Sequence, residues 1–302
     1  MSDIDYSKGA AWVKGEIVPI EKATIGVTDW GFTRSDVVYD VVHVWEGAFF
    51  RLDDYLERFS QSMVKMRLNV DQTSDEIREI LHAIVARSNL KSAYIAMVAS
   101  RGTPNIPGSR DPRLCKNHFF CWCVPFVHVF PTDVAARGAR LLISKTKQRI
   151  PESCIDPTAK NYHWGDLSQA QFEALDAGYD SAILLDANKQ VTEGPGFNIF
   201  AVINGVVTTP ENGALQGITR QSVMEICAEL GIPCEVSNFS AQDLLDADEV
   251  LTSTTAGGPV AVVGVDDRIY SNASAGPLTA KIIERYWLWH EDNKYREKII
   301  YT

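Results

Sequence analysis

The sequence predicts two domains of mixed α+β and α/β organisation, and three observations carry that expectation. The chain has 302 residues, long enough for one large domain or two medium ones that each bury a core. Residues 1–125 read as strand, strand, helix, helix, strand, strand, the order of a small α+β domain. A polar, Pro- and Gly-containing stretch at 126–136 reads as a connector, and 137–302 alternates short apolar strands with helices, as a larger second domain would.

The elements follow in order from local pattern. "AAWVKGEIVPI" reads as two short strands about a Lys-Gly turn, and "DVVYDVVHVWEGAFF" as two longer ones about Glu46-Gly47, on their β-branched and aromatic content. In "RLDDYLERFSQSMVKMRL" the residues Leu52, Tyr55, Leu56, Phe59, Met63 and Met66 recur at helical spacing behind an acidic start. "SDEIREILHAIVARSNL" repeats that design, and "SAYIAMVASRG" and "HFFCWCVPFVHVF" read as strands. Beyond the connector, "RLLISKTK", "SAILLD", "NIFAVING" and "EVLTSTT" are strand-like. "GDLSQAQFEALDAG", "TRQSVMEICAELG" and "PLTAKIIERYWLWHEDN" are helical, the last two bounded by Gly or Pro.

Composition narrows the function classes. With 39 acidic against 29 basic residues the net charge is -10, which argues against nucleic acid or an anionic membrane surface as partner. No stretch is apolar for long enough to span a bilayer and the N-terminus lacks a secretory pattern, so a cytoplasmic enzyme or binding protein is expected. The six cysteines show no framework spacing and read as free thiols. Cys121 and Cys123 share one strand face as core thiols, and no metal site is expected.

Four segments carry chemistry. Lys160 lies in "DPTAKNYHWGDL", between turn formers and an aromatic cluster. Glu193 precedes a Gly-Pro-Gly turn in "TEGPGFN", where backbone can approach a ligand closely. "LQGITR" runs Gly217, Ile218 and Thr219 into a helix start, a ready phosphate site. "TSTTAGG" at 252–258 is a hydroxyl- and Gly-rich turn. A nucleophilic lysine, an acid and two phosphate-cradling loops together describe what pyridoxal 5′-phosphate requires.

These motifs, with "RLDDYLERF", resemble in order the fold type IV pyridoxal-phosphate enzymes, the class of the branched-chain and D-amino acid aminotransferases, from about Ala10 to His290. The resemblance implies a two-domain, D-amino acid aminotransferase-like architecture and a homodimer. It implies that Lys160 is the Schiff-base lysine and proton carrier, and that Glu193 keeps the pyridine nitrogen protonated. Arg58, Ile218, Thr219 and Thr255, with Thr254 beside it, match the family's phosphate site, and Leu215 its apolar contact to the ring.

"RSDVVYDVVHVWEGAFF" and "IDPTAKNYHWGDL" are more similar to the (R)-selective amine transaminases. That implies a primary-amine donor, a keto acid acceptor such as pyruvate and a ping-pong cycle. The alternatives are a D-amino acid or branched-chain L-amino acid aminotransferase, a lyase of the same fold, or a cofactor-binding protein without turnover. Tyr39, Val41, His43, Tyr94, Ala96, Trp164 and Ala256 are the expected pocket residues, with core packing as the competing reading for Tyr39, His43, Tyr94 and Trp164. Ala96 stands where the branched-chain pattern has an arginine. The resemblance assigns Arg110, in "PGSRD", to the acceptor carboxylate. Arg34 replaces the usual histidine and is a second candidate cation; the alternative for Arg110 is a solvated loop charge, and for Arg34 a place facing a neighbouring subunit or solvent.

Overall fold

Short alternating runs make β1 (Ala10–Val13) and β2 (Glu16–Pro19) a hairpin about Lys14 and Gly15. The computed structural model describes residues 4–301. The helical turn α1 (Trp30–Arg34) is capped by Asp29, which accepts from the Gly31 N–H. Next come β3 (Val37–Trp45), β4 (Ala48–Phe50), α2 (Leu52–Lys65), α3 (Ser74–Ser88), β5 (Ala93–Ser100) and β6 (His118–Pro125). A reciprocal capping box between Thr73 and Glu76 starts α3.

The expected connector contains a helix, α4 (Thr132–Arg137). It is followed by β7 (Ala139–Ile143), α5 (Gly165–Asp176), β8 (Ser181–Ile183), β9 (Glu193–Gly194), β10 (Phe197–Ile203) and β11 (Val206–Thr209). Then come α6 (Ile218–Glu229), β12 (Cys234–Val236), α7 (Ala241–Asp246), β13 (Glu249–Thr254), β14 (Gly258–Val265), β15 (Arg268–Ile269), α8 (Pro277–Trp289) and β16 (Arg296–Lys298). No helix among the described residues is long and apolar enough to cross a membrane.

The chain forms two units. The first takes the residues up to Val127, the strip Ala159–Tyr162 and the residues from Asp292; the second takes His128–Thr158 and His163–Glu291. Division by sequence at 126–136 therefore differs from the structure at two places, because the strip bearing Lys160 and the C-terminal residues both pack with the first unit. Neither segment carries a local signal of where it will pair.

The first unit has a seven-stranded sheet in the order β16-β4-β3-β5-β6-β1-β2. On one face Val42, Ile95, Met97, Cys121 and Cys123 are fully buried, and α2 and α3 cover the sheet. The second unit has a nine-stranded sheet built on the path β12-β11-β10-β13-β14-β7-β8. Its core gathers Leu141, Ile183, Ile199, Val250, Val262 and Tyr270, while Ala170 and Ala174 of α5 pack with Leu142 and Leu184.

Candidate active site

In the first unit, β4 reaches only the far end of β3, at Val44 and Trp45. This leaves the edge of β3 open near Val38, and the strip 159–162 occupies it. Val38 bridges Asn161, and the Tyr39 N–H donates to the Lys160 carbonyl at 3.0 Å. From the other side the Lys160 N–H donates to Ser62 Oγ of α2 at 3.2 Å, and Ser62 is fully buried. Lys160 is thus held by its backbone on both sides. Its half-buried side chain places Nζ 4.6 Å from the centre of the Tyr39 ring, and Tyr162 packs on that ring at 4.4 Å.

The register of β3 against β5 places Tyr39, Val41 and His43 opposite Val98, Ala96 and Tyr94, so the five expected pocket residues of these strands share one sheet face. Phe120, Trp122 and Val124 of β6 continue that face. Burial pushes the Tyr94 phenol up, with the neighbouring Tyr39, Tyr162 and Asp40 adding to the effect. His43 is fully buried between Phe50 and Phe126, an environment of core packing.

Behind Tyr39, on the opposite face, Arg58 of α2 grips Asp40 of β3 through Nε (2.8 Å) and Nη2 (2.6 Å). Burial pulls the guanidinium's pKa down, and Asp40 more than restores it. Removing one partner of such a pair costs about 3–5 kcal/mol. Asp40 did not emerge from the sequence as a site residue, although a lone carboxylate within "VVYDVVHVW" is itself a signal of a buried ion pair. Arg34 and Arg110 are both exposed, Arg34 stacked 3.3 Å over Trp30.

In the second unit Glu193 starts the hairpin of β9 and β10, opposite Asn198. Its side chain is only 8% exposed; Oε1 accepts from Arg149 Nε at 2.9 Å and Oε2 from the Leu215 N–H at 2.9 Å. Arg149 Nη1 donates in turn to Asp166 Oδ2 at 2.7 Å. Burial lowers the Arg149 pKa, but Glu193 and then Asp166 outweigh it, and the net direction is up. Nothing in "KTKQRIPES" distinguishes Arg149 from a solvated loop cation.

The helix α6 begins at Ile218 with Gly217, which has no side chain to cap it, as its N-cap. Thr219 is 2% exposed, and its buried Oγ1 has no hydrogen-bond partner among the described residues. A Cβ on Gly217 would stand 2.2 Å from Asn198 Oδ1, so only glycine fits there, and Asn198 Nδ2 holds the Leu215 carbonyl at 2.7 Å. Where β13 turns into β14, Thr254 Oγ1 accepts from the Ala256 N–H at 3.3 Å and Thr255 is half-buried. The Ala256 carbonyl accepts from Val129. Trp164 precedes α5 and, partly buried, packs on the Leu142 and Leu184 cluster.

A helix N-terminus opened by glycine, with a buried hydroxyl that has no partner among the described residues, suits a phosphate, and a buried carboxylate held by two donors suits a protonated ring nitrogen. These donors fit pyridoxal phosphate. No group of three or more His, Cys, Asp and Glu among the described residues is arranged for a metal ion.

Comparison with known proteins agrees. Residues 37–265 match the family model of amino-transferase class IV. The branched-chain-amino-acid aminotransferase of Escherichia coli (strain K12) is 28% identical over 284 residues, covering 91% of each chain. The D-alanine aminotransferase of Listeria monocytogenes is 26% identical over 291 residues, 89% of this chain and 92% of that one. Among solved structures, the branched-chain aminotransferase of Thermoproteus uzoniensis with norvaline has a TM-score of 0.86 at 29% identity, over 96% of this chain and 99% of that one. A second branched-chain amino acid aminotransferase, from T.th. and solved with pyridoxamine 5′-phosphate, has a TM-score of 0.89 at 28% identity, over 97% and 99%. The chain belongs to the class IV aminotransferases. It is a fold type IV enzyme whose cofactor is pyridoxal 5′-phosphate.

Proposed function

We propose that this aminotransferase takes the amino group from an (R)-configured primary amine and passes it to a keto acid such as pyruvate, in two ping-pong half-reactions. The supporting observation is the sheet face next to Lys160. Tyr39, Val41, Tyr94, Ala96, Phe120, Trp122 and Val124 present no fixed cation there, and Arg34 is exposed. A neutral, apolar amine suits such a face, while a carboxylate would find no cation among these residues, only the phenols of Tyr39 and Tyr94 and the Trp122 indole. Arg110, on its exposed loop, is the candidate to bind the acceptor's carboxylate.

Bound pyridoxal phosphate supplies an electrophilic carbon for the amine and a ring that takes up the electron pair left when the α-proton departs. Arg58, Ile218, Thr219, Thr254 and Thr255 would bind the phosphate, and Leu215 would cover one ring face. Glu193 would hold a proton at the ring nitrogen. Lys160 Nζ would remove the α-proton and return it at the neighbouring carbon, as a general base and then an acid. Ser62 and the Tyr39 N–H fix the backbone from which Nζ works.

The second reading is an aminotransferase for branched-chain L-amino acids or D-amino acids, favoured by what the relatives are named to act on. Initial rates with (R)-1-phenylethylamine, D-alanine and L-leucine separate the two: the first should lead, and a lead for either amino acid overturns the amine assignment. Lys160→Ala should abolish transfer and alter the cofactor's visible absorbance. Retained transfer with unchanged absorbance would rule out Lys160 as the nucleophile. A homodimer and a cytoplasmic location belong to the same proposal, the first checked by light scattering.

A further inference from the structure

Glu193 does not meet its guanidinium alone. Arg149 Nε donates to Glu193 Oε1 at 2.9 Å and Nη1 donates to Asp166 Oδ2 at 2.7 Å, and the three side chains are 8–10% exposed. Asp166 is itself fixed at both oxygens: Oδ2 also accepts from the Ile150 N–H and Oδ1 from the Leu167 N–H, each at 2.8 Å. The Arg149 backbone is tied to the Leu185 carbonyl at 2.9 Å. One buried cation is therefore divided between two carboxylates that cannot swing away.

Divided charge has a chemical consequence. Were Arg149 paired with Glu193 only, the pair would be neutral and the guanidinium would draw electron density from the carboxylate. With Asp166 ionised the trio carries one net negative charge, in a site where opposite charges attract strongly. Glu193 also attracts the buried Arg220 guanidinium, and because Asp166 shares Arg149, that cation does not neutralise Glu193 alone. We propose that Asp166 is a positioning residue that acts through Arg149 to set how firmly Glu193 holds the proton on the cofactor's ring nitrogen. A protonated ring accepts the electron pair of the departing α-proton better, so Asp166 raises kcat without touching substrate.

This rests on the reading of Glu193 as the ring-nitrogen partner, and the experiment separates the two. The holoenzyme is loaded with pyridoxal phosphate labelled with 15N in the ring, and the nitrogen signal is followed against pH in wild type, Asp166→Asn, Asp166→Glu and Glu193→Gln. In Asp166→Asn the ring nitrogen should lose its proton at a roughly tenfold higher proton concentration, with kcat down about tenfold and the donor KM unchanged, one pKa unit being a factor of ten. Asp166→Glu, which keeps the charge, should restore the wild-type titration.

A wild-type titration in Asp166→Asn, alongside a lost proton in Glu193→Gln, overturns the role of Asp166 and leaves Glu193 standing. So does an equal change in Asp166→Glu and Asp166→Asn, which would mark a packing effect. An unaltered signal in Glu193→Gln overturns the reading of Glu193 itself. Should Asp166→Asn fail to retain cofactor, Asp166→Ser takes its place with the same outcomes.

Discussion

Two helices of the second unit begin in opposite ways. At the start of α8, Glu249 accepts from the Leu278 N–H at 3.1 Å and the Thr279 N–H at 2.8 Å, and lies where a Cβ on Gly276 would fall. A carboxylate from a distant strand thus fills the positive end of that helix. At the start of α6 no side chain caps the backbone, and the hydroxyl of Thr219 is buried without a partner among the described residues. The fold can supply an internal anion where it needs one. Leaving α6 open is therefore informative: its unmet donors suit an anion from outside, which under the functional proposal is the cofactor phosphate.

Three substitutions probe this contrast. Glu249→Ala should have the largest effect, costing the apoprotein about 2–3 kcal/mol in urea denaturation because two buried N–H groups lose their acceptor. Cofactor affinity should change less than about twofold, since α6 is untouched. Thr219→Val should do the reverse. Its apoprotein should be as stable as wild type or slightly more so, while cofactor affinity, read by fluorescence titration, falls about tenfold, near 1.4 kcal/mol. Destabilisation of apo Thr219→Val to the level of Glu249→Ala would break the comparison. Glu249→Gln should be mildest, about 1 kcal/mol, because the amide oxygen keeps one of the two N–H bonds while the amide NH2, a donor, faces the other.

Regular, strongly patterned elements were legible in the sequence. The periodicities at 51–68 and 74–90 become α2 (Leu52–Lys65) and α3 (Ser74–Ser88), and the Glu46-Gly47 turn joins β3 to β4 as its β-branched flanks require. The helix start at Gly217 and Ile218 was also legible, since glycine before a run of helix formers is a local signal. What stayed hidden depends on distant partners. β16 is the charged triplet Arg296–Lys298, which is a strand only because it pairs with β4. Arg149 and Asp166 read as ordinary loop and helix charges until folding buries them against Glu193. Glu249 looked like the first residue of a strand, and its capping of α8 spans a separation of 30 residues.

Chain order and spatial order disagree in the first unit, and this constrains how the enzyme is made. Residues up to Val127 leave the ribosome before those of the second unit, yet the open edge near Val38 awaits the strip 159–162 and the edge of β4 awaits β16, which follows the second unit. An emerging N-terminal half would present both edges bare, the kind of exposed strand that invites pairing with another nascent chain. The three-residue strand β16 closes that edge only after the second unit has been made.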